Sequence, residues 1–121
     1  MSTCLIVDDS PVIRKVARHI LESHGFAVVE AWDGPEGLEA AARAMPDAVI
    51  VDSAMPGMNG FEFLRKLRGM ESGRKPKVLV CAVDNDVAIL ARARHCGADS
   101  LLLKPFDGEA LDARLRGVGL I

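Results

Sequence analysis

The chain has 121 residues, 50% of them apolar and 26% charged, with a formal charge of -2; that suits one domain with one core and gives no global sign of a DNA or membrane partner. No apolar run is long enough to span a bilayer, and the acids at Asp8 and Asp9 interrupt the N-terminal apolar stretch too early for a secretory signal. Cys4, Cys81 and Cys96 are odd in number and lack CxxC spacing, so buried free thiols of a cytoplasmic protein are expected rather than a metal site or a disulfide.

Residues 3–7 are apolar and partly β-branched, and two aspartates end them, which predicts a buried strand. Ser10-Pro11 offers an N-cap and a first-turn proline. In the helix that follows, Val12, Ile13, Val16, Ala17, Ile20 and Leu21 recur at helical spacing and are expected to face inward. Arg14, Lys15, Arg18 and Glu22 take the other side, and Gly25 closes the helix. Residues 26–31 read as a second strand. Asp33-Gly34-Pro35 turns into a helix over 35–45, with Leu38, Ala41 and Ala42 inward, and Pro46-Asp47 breaks it.

Residues 48–51 form the next apolar run, and Asp52 stands at its end. Met55-Pro56-Gly57 and Gly60 then force a turn, as at the carboxyl end of a strand buried on both faces. A helix begins near Phe61, with Phe61, Leu64 and Leu67 or Arg68 on one face. Residues 70–77 are a polar connection, and residues 78–82 a fourth strand. Asp84-Asn85-Asp86 can cap a helix running to about Cys96, which Gly97 stops. Residues 100–103 are a fifth strand ending in Lys104-Pro105-Phe106. Asp107 caps a last helix through Arg116.

Strand and helix alternate five times, which predicts an α/β fold with one parallel sheet, helices on both faces and right-handed crossovers. Five strands in about 120 residues fit the flavodoxin-like (βα)5 order 2-1-3-4-5, a single domain over residues 1–121. Asp8, Asp9 and Asp52 then end adjacent strands at the switch point, and Lys104 ends the fifth strand on the same rim. Three carboxylates so close need a cation. Oxygen donors on short loops suit Mg²⁺, and with the Lys104 ammonium they would favour attack by a carboxylate, Asp52 the central candidate, on a phosphorus donor.

Val7-Asp8-Asp9-Ser10, the stretch from Asp52 through Met55-Pro56-Gly57-Met58-Asn59-Gly60, and Lys104-Pro105-Phe106 occur in an order and spacing that resemble a response-regulator receiver domain of the CheY-like, single-domain kind. The resemblance covers essentially the whole chain. It implies that Asp52 is the phosphoacceptor, that Asp8 and Asp9 hold Mg²⁺ with Asp9 the more direct ligand, and that the Ala54 carbonyl is a further ligand. It implies that Lys104 binds the phosphoryl oxygens and that the Lys104-Pro105 peptide is cis, which only proline makes cheap. It also implies a histidine kinase or phosphotransfer protein as donor, which Arg14, Lys15 and Arg18 are placed to meet. A downstream protein would be met through the fourth helix, fifth strand and fifth helix.

Two positions depart from that pattern. Ala82 stands where receivers carry a Thr or Ser hydroxyl, and Cys81 points to the opposite side of the strand. Leu101 stands where they carry Tyr or Phe, and the chain has no tyrosine. The expectation is a stand-alone receiver of a two-component phosphorelay, not an enzyme, a monomer or weak dimer with no output domain. It would accept phosphate but couple it weakly, or by another route, to the last strands and helices. It would act as a relay, a phosphate sink or a switch in motility, as in chemotaxis, or in cell-cycle control. The alternative is a phosphorylation-independent pseudo-receiver that binds a protein or, through Arg92, Arg94, His95, Arg114 and Arg116, cyclic di-GMP. A phosphatase acting through an aspartyl-phosphate is disfavoured, because Ala54 stands where a second acid would be needed.

Overall fold

A computed structural model describes residues 2–83 and 87–121. The elements alternate in the order β1 (Thr3–Val7), α1 (Pro11–Ser23), β2 (Ala27–Ala31), α2 (Gly34–Arg43), β3 (Ala48–Asp52), α3 (Gly60–Arg68), β4 (Lys77–Ala82), α4 (Val87–His95), β5 (Ser100–Leu103) and α5 (Gly108–Gly117). The strands form one parallel sheet in the order β2-β1-β3-β4-β5, the doubly wound flavodoxin-like arrangement that the alternation of patterns predicts. The proposed cap at Asp84-Asn85-Asp86 lies outside the described residues.

Period-two side-chain alternation splits the core into two layers. Leu5, Val7, Val49, Val51, Val78, Val80 and Ala82 pack on one face with Phe61, Phe63, Leu64 and Leu67 of α3, Ala41 of α2 and Ala93 of α4. Cys4, Ile6, Ala48, Ile50, Leu79 and Cys81 pack on the other with Ala17 and Leu21 of α1 and Leu111 and Leu115 of α5. All three cysteines are buried free thiols. Burial holds the Cys4 and Cys81 thiols far above the ordinary thiol range, so they pack as small apolar groups.

The helices begin where capping chemistry allows. Ser10 Oγ accepts from the Ile13 N–H at 3.3 Å, Asp33 from Glu36 at 2.9 Å, Asn59 from Glu62 at 2.9 Å and Asp107 from Ala110 at 2.9 Å; each satisfies a donor that the first turn leaves open.

Three inward assignments, Val12, Val16 and Ala42, are corrected. On α1, Val12 is 69% exposed and Val16 is also exposed, although both carry the helical repeat. Arg14 and Arg18 both reach Glu30 on β2, and Arg18 also donates to the Val28 carbonyl at 3.1 Å. These bonds fasten that flank of α1 to the edge strand and leave Ala17 and Leu21 on the sheet. On α2, Ala42 is exposed while Gly37 and Ala41 are buried. A Cβ at Gly37 would crowd Val7 and Phe63, so this glycine lets α2 sit close to the sheet.

Candidate functional site

β1 and β3 are neighbours in register, Val7 beside Val51, so Asp8, Asp9 and Asp52 emerge together at the carboxyl edge. One oxygen from each of the three lies within 4.8 Å of the others. Lys104 comes from β5, on the far side of β4. The backbone there is fixed by the Lys104 N–H donating to the Ala82 carbonyl at 2.9 Å, and the Lys104-Pro105 peptide is cis. The lysine stem crosses the end of β4, and its Nζ lies 2.7 Å from Asp8 Oδ2 and 3.2 Å from Asp52 Oδ1.

Two of the three carboxylates share the Lys104 ammonium, and these two are buried: Asp8 is 2% and Asp52 8% exposed, while Asp9 is exposed. Burial pushes the Asp8 carboxyl above its usual range and the Asp52 charge adds to this; the bonds from Lys104 and the Ser10 N–H offset it only in part. Burial alone would lower the Lys104 ammonium, but Asp8 and Asp52 outweigh it and hold the proton on. The cluster therefore carries more negative charge than its lysine neutralises. Its donors are hard oxygens on short loops, which fits a small divalent cation such as Mg²⁺.

The β3–α3 loop is built for close approach. A Cβ at Gly60 would run into the Asp52 carbonyl, and Gly57 turns with φ of 77°, a conformation that suits glycine. Ala54 lies exposed on this loop. Ala82 and Leu101 are buried on the α3/α4 face of the sheet, and Cys81 is on the opposite face.

Arg92, Arg94 and His95 of α4 line three different pockets. Arg94 and Arg114 line a groove of about 260 Å³ with Leu90, Leu101 and Leu103. His95 lines a different pocket with Arg68 and Arg74. The Arg92 guanidinium lies 4.4 Å from the centre of the Phe61 ring.

Two contacts were not anticipated: Asp8 Oδ1 accepts from the Ser10 N–H at 2.9 Å, and Arg14 donates to the Asp8 carbonyl at 2.7 Å. The first is legible in principle, since an aspartate often bonds the N–H two residues on. The second depends on how α1 leans on the sheet.

Residues 4–116 match the response regulator receiver domain family. The chain belongs to that family. It is 38% identical over 114 residues to the response regulator MprA of Mycobacterium tuberculosis, covering 94% of this chain and 49% of that protein. It is 32% identical over 118 residues to the transcriptional regulatory protein AfsQ1 of Streptomyces coelicolor, covering 98% of this chain and 51% of that protein. The chain thus spans about half the length of these curated relatives. Among solved structures, the chemotaxis protein CheY4 of Vibrio cholerae superposes with a TM-score of 0.93 at 35% identity, covering 98% of both chains. The receiver domain of the sensor histidine kinase PA1611 of Pseudomonas aeruginosa, solved with a magnesium ion in its active-site cleft, superposes with a TM-score of 0.85 at 27% identity, covering 96% of this chain and 95% of that one. Receiver domains bind Mg²⁺ at an acidic pocket, and this receiver has the acidic cluster. Among the described residues no helix is long and apolar enough to cross a membrane.

Proposed function

We propose that this receiver accepts a phosphoryl group on Asp52 in a Mg²⁺-dependent reaction and passes the signal on by protein contact, as a receiver module over residues 1–121 in a cytoplasmic two-component relay. The supporting observation is the Lys104 ammonium held between Asp8 and Asp52 at 2.7 and 3.2 Å, with Asp9 beside them. Asp9, Asp8, Asp52 and the Ala54 carbonyl are the proposed Mg²⁺ ligands. The ion would supply positive charge for the phosphoryl oxygens.

Each residue's part follows from its place. The free Asp52 oxygen attacks phosphorus in line. An O–P bond forms as the bond from phosphorus to the donor nitrogen breaks, and the imidazole leaves. Lys104 donates to a phosphoryl oxygen, a contact whose strength rises in a buried site. The donor is a histidine kinase or phosphotransfer protein. Val12, Val16 and the exposed Trp32 give α1 and the end of β2 an apolar surface for it. Of the three cations on α1, Arg14 and Arg18 are engaged with Glu30, so Lys15 is the one left to attract it. The downstream protein binds the face made by α4, β5 and α5.

Incubation with acetyl phosphate and Mg²⁺ is expected to add one phosphoryl mass to the intact protein, and none to Asp52→Ala. A protein that stays unmodified would overturn this reading. Ala82 and Leu101 favour a second one, a pseudo-receiver whose partner binds regardless of Asp52. It predicts equal partner capture by wild type and Asp52→Ala.

A further inference from the structure

A pocket of about 320 Å³ opens beside the site. Ser53 and Ala54, which directly follow Asp52, line it together with Phe61, Ala82 and, from α4, Arg92. Arg92 is the one charged side chain among the residues lining it. Its guanidinium rests on the Phe61 ring, and among the described residues no carboxylate pairs with it. Other arginines of the chain are committed: Arg14 and Arg18 to Glu30, Arg68 to Asp99 and three backbone carbonyls.

We infer that Arg92 is the residue that senses the phosphoryl group on Asp52, reaching it through the space that the Ala82 methyl leaves open. This rests on the phosphoacceptor reading of Asp52. A phosphoryl group brings further negative charge and strong acceptor oxygens to a site that already has more carboxylates than cations. Lys104 is shared with Asp8 and cannot serve every new oxygen. Ala82 offers no donor. The pocket has room for several waters, at about 30 Å³ each, and so for a guanidinium to swing. A ring contact is weaker than a forked charge-assisted bond to phosphoryl oxygens, which the guanidinium geometry matches. Loading the site therefore draws Arg92 off Phe61 and toward β3. Because Arg92 is on α4, the helix follows. Leu90 and Arg94 of the same helix line the groove against Leu101 and Arg114, so the movement changes the face that meets a partner. The signal thus passes from Asp52 to α4 through a cation rather than a hydroxyl.

The test loads the protein with beryllium fluoride and Mg²⁺ and follows amide and arginine Nε–Hε resonances. The expected result in the wild type is movement of the 52–54 amides, the Arg92 Nε–Hε and the α4 amides together. In Arg92→Ala the 52–54 amides still move, while the α4 amides lose most of their shift. Arg92→Lys, which keeps charge without the fork, is intermediate. Adding Ala82→Thr to Arg92→Ala restores the α4 shifts by supplying a donor, which damage to the helix would not allow. The inference is overturned, with the Asp52 reading intact, by a loaded wild type whose Arg92 Nε–Hε stays still or by an Arg92→Ala protein whose α4 shifts equal the wild type's. A protein whose 52–54 amides do not respond at all overturns both.

Discussion

Asp8 is buried, faces a second carboxylate, and holds its proton more tightly than a free aspartate. A carboxyl whose folded pKa exceeds its unfolded value contributes stability that is complete below the unfolded value of 3.8 and is lost as pH rises through the folded one. Near neutrality, ionised Asp8 is therefore a burden on the metal-free protein. Asp8→Asn is expected to raise Tm at pH 7 without divalent cations, by a few degrees, since about 1 kcal/mol moves the midpoint of a domain this size by about 4 °C. The gap between variant and wild type should narrow as pH falls toward 4, which thermal scans at several pH values would show; a gap that widens instead would mean that folding lowers the Asp8 pKa rather than raising it. Gly60 is the opposite case, a residue kept for its lack of a side chain. Gly60→Ala forces the methyl against the Asp52 carbonyl. It should cost about 1–3 kcal/mol, as overpacking does, read as a lower urea midpoint at unchanged slope.

Between elements, apolar packing is supplemented by polar ties that a single side chain gathers. Arg68, at the end of α3, donates to the carbonyls of Gly97 at 2.7 Å, Pro76 at 2.7 Å and Gly73 at 3.1 Å, and pairs with Asp99 at 3.1 Å. Asp99 in turn accepts from the Val78 N–H at 2.8 Å. One guanidinium thus fastens α3 to the segments entering β4 and β5. Arg68→Ala should destabilise by about 2–3 kcal/mol, because it strips a charged donor from several carbonyls at once, and Arg68→Lys should recover little, since a single ammonium cannot span them; urea unfolding of both variants decides this. At the same edge of the sheet, Asp47 at the entry to β3 accepts from the Thr3 N–H at 2.8 Å, which holds its carboxyl below the usual range. Its contribution is present above the unfolded value of 3.8 and fades as pH falls through the folded one, so Asp47→Asn should blunt acid unfolding. The strands were legible because each is a short apolar run closed by acids, glycine or proline, as residues 48–52 and 100–104 show. The face of α1 was only half legible. Val12 and Val16 obey the helical repeat, but the helix is rotated by bonds from Arg14 and Arg18 to a glutamate 12 to 16 residues away, and no local pattern encodes that. The sequence pattern likewise leaves Arg68 as one of two candidates for an apolar face, because its partners are loop carbonyls that only the fold assembles.

Across the whole molecule, acids far apart in sequence become one site because β1 and β3 are neighbours and Lys104 can reach over β4. The spacing of Asp8, Asp9, Asp52 and Lys104 made that convergence legible once the strand order was inferred. The Arg92–Phe61 contact was not legible, since it needs the lean of α4 on α3. With Mg²⁺ held as proposed, folding and ion binding become one equilibrium. A cation that binds the folded cluster and not the unfolded chain adds RT ln(1 + [L]/Kd), about 2.7 kcal/mol at a hundredfold excess over Kd. Mg²⁺ should therefore raise Tm in a concentration-dependent way, while K⁺ at matched ionic strength, which only screens exposed charge, should do little. Asp9→Asn should remove most of the Mg²⁺ increment, because Asp9 is the exposed and proposed direct ligand, and should barely alter the metal-free Tm. Asp8→Asn should start higher without the ion and gain less from it. Thermal scans of the three proteins across a Mg²⁺ series separate these effects. Equal increments in all three would mean that the ion stabilises the molecule somewhere other than the carboxylate cluster.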